Sequence, residues 1–197
     1  MLRVAAIAED TCAEGPGRRW ALLVQGCSLR CAGCCNPEMF DERRGDAMEI
    51  DALAARIAEA QAHGVEGVTF LGGEPFEQPV DLAALARRAR ALAMTVMVFS
   101  GYTLDELRAR ADAAELLALT DLLVDGRYDR ARPEPTPPAG RRWIGSANQG
   151  MHFLTAAYSP DDPQMRGANT IEIRLSKDGL RINGWPSADR LVGKRGG

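Results

Sequence analysis

The chain has 197 residues, 46% of them hydrophobic, with a net charge of −3, five cysteines and two histidines. That is enough apolar material for one domain of ordinary size with a small appendage, and the weakly acidic balance gives no support for binding nucleic acid or a membrane surface. No run approaches the ~20 apolar residues of a spanning helix. Met1-Leu2-Arg3-Val4 lacks a signal-peptide pattern, and an odd cysteine count at this length argues for a reducing, cytoplasmic setting rather than a disulfide framework.

Residues 2–8 read as a first strand, leading into a turn-rich loop, Thr11-Cys12-Ala13-Glu14-Gly15-Pro16-Gly17. Arg18 and Arg19 follow; a solvated surface pair is expected, with neutralisation of a nearby carboxylate or anionic cluster as the functional alternative. Residues 20–25 form a short apolar run that reads as a buried strand. It delivers Gly26-Cys27-Ser28-Leu29-Arg30-Cys31-Ala32-Gly33-Cys34-Cys35-Asn36-Pro37. Spacing of three and then two residues bends a short loop so that Cys27, Cys31 and Cys34 converge. Thiolates select zinc or iron–sulfur clusters, and a four-iron cube normally takes four of them. Three in one loop leave one iron open for a substrate. A structural zinc site normally shows two separated ligand pairs, and His63 and His152 are remote and unpaired. An electron-carrying ferredoxin supplies four ligands per cluster. Cys35 is either a bystander or an alternative to Cys34, and Cys12 reads as an unliganded thiol.

Residues 50–62 form a helix, with Ile50, Leu53 and Ile57 on one face and Gly64 as its stop. Residues 67–71 are a strand ending in Gly72-Gly73-Glu74-Pro75. Leu82, Leu85, Ala86 and Ala89 mark a second helix, and residues 94–99 a strand ending in Ser100-Gly101-Tyr102. Thr103 with Glu106 makes a capping box for a helix running to about Leu117. Residues 121–124 are a strand ending at Asp125-Gly126-Arg127. Repeated strand–helix–strand units predict a parallel sheet. The cysteine loop, the G-G-E-P loop, Ser100-Gly101-Tyr102 and Asp125-Gly126-Arg127 then all follow the C-terminal ends of strands, where such folds bind ligands. A proline-rich loop spans 130–140, residues 149–155 are a last core strand, and His152 is expected to be packed rather than liganded. Beyond it, alternation at 170–175 and 180–185 around Lys177-Asp178-Gly179 predicts a β-hairpin that adds to an edge or covers the core. The end, Gly193-Lys194-Arg195-Gly196-Gly197, is expected to fray. The domain division expected is a core at 1–155 and an extension at 156–197.

The C-x-x-x-C-x-x-C motif ending a strand, with Gly15-Pro16-Gly17, Gly33, Gly72-Gly73-Glu74-Pro75, Ser100-Gly101-Tyr102-Thr103-Leu104, Leu123-Val124-Asp125-Gly126 and Gly145-Ser146-Ala147-Asn148-Gln149, resembles the radical S-adenosylmethionine (SAM) enzymes. Within them it resembles the activating proteins of anaerobic ribonucleotide reductase, over about residues 14–155. The resemblance implies an α/β fold, a partial, open (β/α) barrel of mainly parallel strands, to which the hairpin is appended. It implies a [4Fe–4S] cluster on Cys27, Cys31 and Cys34, with SAM on the open iron and one electron releasing a 5′-deoxyadenosyl radical that abstracts a hydrogen atom. Gly72, Gly73 and Glu74 would take the methionine end of SAM, Gly33 and Cys35 would flank the adenine, and Ser100 and Asp125 would meet ribose hydroxyls or the carboxylate. Arg127, where the family tends to have lysine, would face the SAM carboxylate or a protein partner. The implied partner is a glycyl radical enzyme, or a peptide substrate, with flavodoxin or ferredoxin as electron donor. The rival readings are radical modification of a peptide or small molecule, and a non-catalytic iron–sulfur or zinc module.

Overall fold

The computed structural model describes residues 1–176 and 179–184. Nine strands are defined: β1 Leu2–Thr11, β2 Arg19–Val24, β3 Asp46–Met48, β4 Gly67–Gly72, β5 Thr95–Phe99, β6 Leu122–Asp125, β7 Gly150–Phe153, β8 Ile171–Ser176 and β9 Gly179–Gly184. The first seven form one sheet in the order β3-β1-β2-β4-β5-β6-β7, and β8 and β9 form a separate two-stranded sheet. Strands β2, β4, β5 and β6 are mutually parallel, whereas β1 runs antiparallel to β2 and to β3, and β7 antiparallel to β6. The sheet is thus mainly parallel, as expected from the alternating pattern, and antiparallel at both edges. The reason for the antiparallel edges is connection length and content. Residues 12–18 carry no helix, and neither do residues 126–149, while a parallel neighbour requires a crossover, usually a helix.

The helices are α1 Ile50–Ala62, α2 Pro79–Ala91, α3 Leu104–Arg108 and α4 Ala114–Leu119. Leu53 and Ile57 of α1, and Leu82, Leu85, Ala86 and Ala89 of α2, are buried against Trp20, Leu22, Val68, Phe70, Val96 and Val98. Each fully buried Leu or Ile contributes about 2 kcal/mol, so this layer is the main apolar mass of the fold. The single helix expected from Thr103 to about Leu117 is two. The capping box is present, with Thr103 Oγ1 accepting from Glu106 N and Glu106 accepting from Thr103 N. The helix then breaks at Arg110, whose backbone is extended. Leu104 and Leu107 bury one face, but the next buried residues, Ala113 and Leu116, are out of phase with it at 3.6 residues per turn. The break brings both sets onto the sheet.

The opposite face of the sheet carries no α-helix among the described residues. Alternation along the strands places there a second cluster: Met97, Leu122, Val124, Trp143, Ile144 and Tyr158, with Phe99, Met151, Phe153 and Met165 against it. At the N-terminal end of this face lies Arg19, fully buried, which corrects the expectation of a surface pair. Its five N–H donors are all met: Nε by Thr69 Oγ1 (3.0 Å), Nη1 by Thr95 Oγ1 (2.6 Å) and Tyr158 Oη (3.0 Å), and Nη2 by the carbonyls of Val68 and Thr95. Gly67 is needed here, because a Cβ would stand 1.9 Å from Arg19 Nη1. Arg18 does sit at the surface, paired with Asp10 at 2.6 Å.

The hairpin covers rather than extends. Cys12 N donates to Glu172 Oε1 (2.7 Å), Gly184 N donates to Glu14 Oε1 (2.8 Å), and Arg174 donates to the Asp10 carbonyl. It therefore lies against the β1–β2 loop. Lys177 and Asp178 of the expected turn, Trp185, and the expected frayed end at 193–197 lie outside the described residues. Among the described residues no helix is long and apolar enough to cross a membrane.

Candidate functional site

A cleft of about 430 Å³ opens at the C-terminal ends of β2, β4 and β5, on the face opposite the α-helices. Leu23, Leu71 and Phe99, the last side chains of those strands on that face, make its apolar floor. Around it stand Cys27, Cys31, Cys34 and Cys35 from the loop after β2, Gly72, Gly73 and Glu74 from the loop after β4, and Ser100 and Gly101 from the loop after β5. Segments seventy residues apart in sequence meet because parallel strands put all their C-terminal loops on one edge.

The cysteine loop is anchored at its base. Gly26 N donates to the Met39 carbonyl (2.9 Å), Cys27 N to the Phe40 carbonyl (3.3 Å), and the Gln25 side chain to the carbonyls of Glu38 and Asp41. The G-G-E-P loop is fastened to it: Gly73 N donates to the Val24 carbonyl and Glu74 N to the Gly26 carbonyl, each at 2.8 Å. A Cβ on Gly73 would lie 2.2 Å from the Gly26 oxygen. The glycine thus permits two loops of the protein to touch.

All five cysteines are free thiols, and Cys27, Cys31, Cys34 and Cys35 are half-buried. Burial pushes the Cys27 thiol up. Cys34 is lowered, chiefly by a hydrogen bond from the Cys35 thiol and also by the Asn36 N–H, which points at its sulfur at 3.4 Å; Cys35 is raised correspondingly. Cys34 is therefore biased toward thiolate, the ligand form. Among the described residues no trio of His, Cys, Asp or Glu is drawn together tightly enough for a single metal ion. Ligands to a four-iron cube bind different irons and stand farther apart than those of a single ion, and thiolates around a cleft are the donors such a cluster takes.

Glu74 is buried (1% exposed). Its Oε1 accepts from Phe76 N (3.0 Å) and Ser100 Oγ (2.8 Å), and its Oε2 from Gly101 N (2.7 Å). Burial pushes its carboxyl up to about 7 against these bonds. Glu74 thus ties the loop after β4 to the loop after β5, and Ser100 spends its hydroxyl on it.

Two expected residues are not part of the lining. Gly33 is exposed, with the Arg130 side chain across its backbone. Asp125 is buried behind the cleft; its Oδ2 accepts from Leu104 N (2.5 Å), its Oδ1 from Gly150 N (3.0 Å), and His152 Nε2 lies 3.0 Å from Oδ2. It starts α3 and anchors β7. Arg127 is also occupied, donating to Glu106 Oε2 at 2.7 Å and lying over the Tyr102 ring.

Sequence reasoning missed Glu14, Tyr128, Gln149, Ile182, Asn183 and Gly184, all of which line the cleft. Gln149 is a staple, its Oε1 accepting from Gly145 N and Ser146 N (both 3.0 Å) and its Nε2 donating to the Gly126 carbonyl (2.9 Å). Glu14 belongs to a loop at the other end of β2 that folds over this face of the sheet, with Gly15 against Met97 and Thr69, so the strand-end rule does not find it. The hairpin residues carry no local signal at all.

The profile of the family described as a 4Fe-4S single cluster domain matches residues 13–152. The anaerobic ribonucleoside-triphosphate reductase-activating proteins of Salmonella typhi and of Escherichia coli are each 32% identical over 149 residues, covering 72% of this chain and 92% of theirs. The pyruvate formate-lyase-activating enzyme of Clostridium pasteurianum is 31% identical over 93 residues, 44% of this chain and 39% of its own. A thiol-lined cleft at the ends of parallel strands and a match across nearly the whole length of the reductase-activating relatives have one account: the chain belongs to the glycyl-radical-activating, iron–sulfur branch of the radical SAM enzymes, whose cofactors are a [4Fe–4S] cluster and SAM.

Proposed function

We propose that this enzyme activates an anaerobic ribonucleotide reductase by removing a hydrogen atom from a backbone glycine of that protein. The observation that carries the proposal is the convergence of Cys27, Cys31 and Cys34 with the G-G-E-P loop on one cleft, in a chain that covers 92% of reductase-activating relatives. When bound, the cluster supplies an electron to SAM, whose 5′-deoxyadenosyl fragment takes the hydrogen atom. The chain's own residues do the rest. Cys27, Cys31 and Cys34 would hold the cluster. The carbonyls of Gly72 and Gly73 would meet the SAM ammonium, while Glu74 and Ser100 hold that loop in register with Gly101. Cys35 would border the adenine, and Gly33 and Asp125 would act from behind the lining, through backbone shape and through the start of α3. Leu23, Leu71 and Phe99 keep the floor dry.

Four parallel strands in sequential order, with the α-helices of the described residues on one face, support reading the sheet as an open, partial (β/α) barrel. We read 1–155 as the catalytic core and 156–197 as an extension, acting in the cytoplasm with flavodoxin or ferredoxin as reductant. The contribution of Ile182, Asn183 and Gly184 to the cleft favours, as second reading, a different peptide or small molecule as hydrogen donor. Anaerobic reconstitution with iron and sulfide, then dithionite and SAM, is expected to yield 5′-deoxyadenosine, and addition of the reductase a glycyl radical by electron paramagnetic resonance. Deoxyadenosine without a radical on the reductase would favour the second reading; zinc without sulfide would remove both.

A further inference from the structure

We propose that the β8–β9 hairpin is the docking element for the polypeptide that supplies the hydrogen atom. The hairpin lies outside the residues matched by the family profile, which end at 152, yet Ile182, Asn183 and Gly184 form part of the cleft wall. Its two faces differ. On one, Glu172 and Arg174 bind the backbone of the β1–β2 loop at Cys12 and Asp10. On the other, Ile173 stands directly opposite Ile182 in the antiparallel register, and opposed residues share a face. Leu175, two residues along, shares it as well. Ile182 lines the cleft, Ile173 is 61% exposed and Leu175 83% exposed. An apolar stripe therefore runs from the cleft wall outward into solvent.

The large apolar side chains left exposed among the described residues are Met1, Val80, Ile173 and Leu175. Two of them stand on one short strand, and Ile173 is paired there with Ile182 of the cleft wall, whereas isolated exposed aliphatics elsewhere carry no meaning. The hairpin is pinned in place by Gly184, whose N–H is held by Glu14 and whose Cβ, if present, would lie 2.2 Å from the Thr170 carbonyl and 2.9 Å from Ala13 Cβ. A fixed apolar stripe continuous with a radical-generating cleft suits a protein partner, whose own apolar patch covers the stripe while its radical-bearing loop enters past Ile182 and Asn183. A small-molecule substrate would have no use for side chains outside the cleft. The proposal rests on the activase reading.

The test uses the full chain and the whole anaerobic ribonucleotide reductase as probe. Ile173→Thr with Leu175→Thr keeps β propensity, and Ile173→Lys with Leu175→Lys is the stronger disruption. Binding is measured by interferometry with cluster-free chain, and deoxyadenosine formation without reductase is measured after reconstitution. The Lys pair is expected to weaken binding by about tenfold or more, the Thr pair by less, with deoxyadenosine formation unchanged within about twofold. Unchanged binding, or no binding by the unsubstituted chain, overturns the proposal. So does a drop from dimer to monomer in sedimentation with reductase binding unaffected, which would assign the stripe to a second copy of this chain. Failure of the unsubstituted, reconstituted chain to form deoxyadenosine would instead remove the activase reading, and the binding experiment would still decide the docking face.

Discussion

The two ends of the sheet face opposite the α-helices carry polar groups to opposite effect. At the N-terminal end, Arg19, Thr69, Thr95 and Tyr158 close on one another, and every guanidinium N–H meets an oxygen. At the C-terminal end, the same strands finish in Leu23, Leu71 and Phe99, and the loops beyond them hold thiols around a cavity. A buried charge is therefore no sign of a site here. Among the described residues no carboxylate is ion-paired with the guanidinium, and burial lowers its pKa, yet its donors are consumed inside the protein, which is what makes the burial tolerable. The thiols differ in standing beside space.

This contrast can be broken first at the open end. Replacing Cys27, Cys31 or Cys34 with alanine is expected to abolish SAM cleavage and cut iron and sulfide content, while melting temperature changes little; Cys12→Ala is expected to alter neither. A variant of the three that kept full activity would end the ligand assignment. At the closed end the expected effect is on stability alone. Arg19→Met leaves the hydroxyls of Thr69 and Thr95 and the Val68 carbonyl without their donor, at a cost of about 3 kcal/mol in denaturant unfolding. Loss of activity without loss of stability would place Arg19 in the site after all.

Glu74 stands between the two kinds of behaviour, buried but at the cleft. Its folded-state carboxyl, at about 7, lies above the ordinary carboxylate value of 4.5. The folded protein keeps a proton that the unfolded chain has released, so this contribution is fully present below about 4.5 and is lost as pH rises to about 7, a change of about 3 kcal/mol. Melting temperature followed from pH 4.5 to 7.5 is expected to show that decline in the unsubstituted chain and to lose it in Glu74→Gln. The smallest effect is expected from Tyr158→Phe, which removes one acceptor from Arg19 Nη1 and one partner from Thr95, at about 1 kcal/mol. A far larger loss would show that residues beyond 155 hold the core together.

Much of this was legible in the sequence. Helix α1 has the bounds its apolar spacing predicts, and the Thr103–Glu106 capping box is present. The break after α3 was legible too, had the phase shift from Leu107 to Ala113 been followed. Strand β3, three residues long, was not, since it exists only by pairing with β1.

What the sequence alone determined is the chemistry of the site and the edge on which it lies. Ligand type and spacing are local properties of one loop, and alternating strands and helices dictate that loops after parallel strands share an edge. Tertiary structure decided which polar residues are spent and which are free to act. Whether Arg19 is buried, whether Glu74 faces a ligand or Gly101, and whether a hairpin 150 residues from the cysteines closes the cleft depend on which distant segments pack together. No local pattern records that, because the free energy of each contact belongs to both partners.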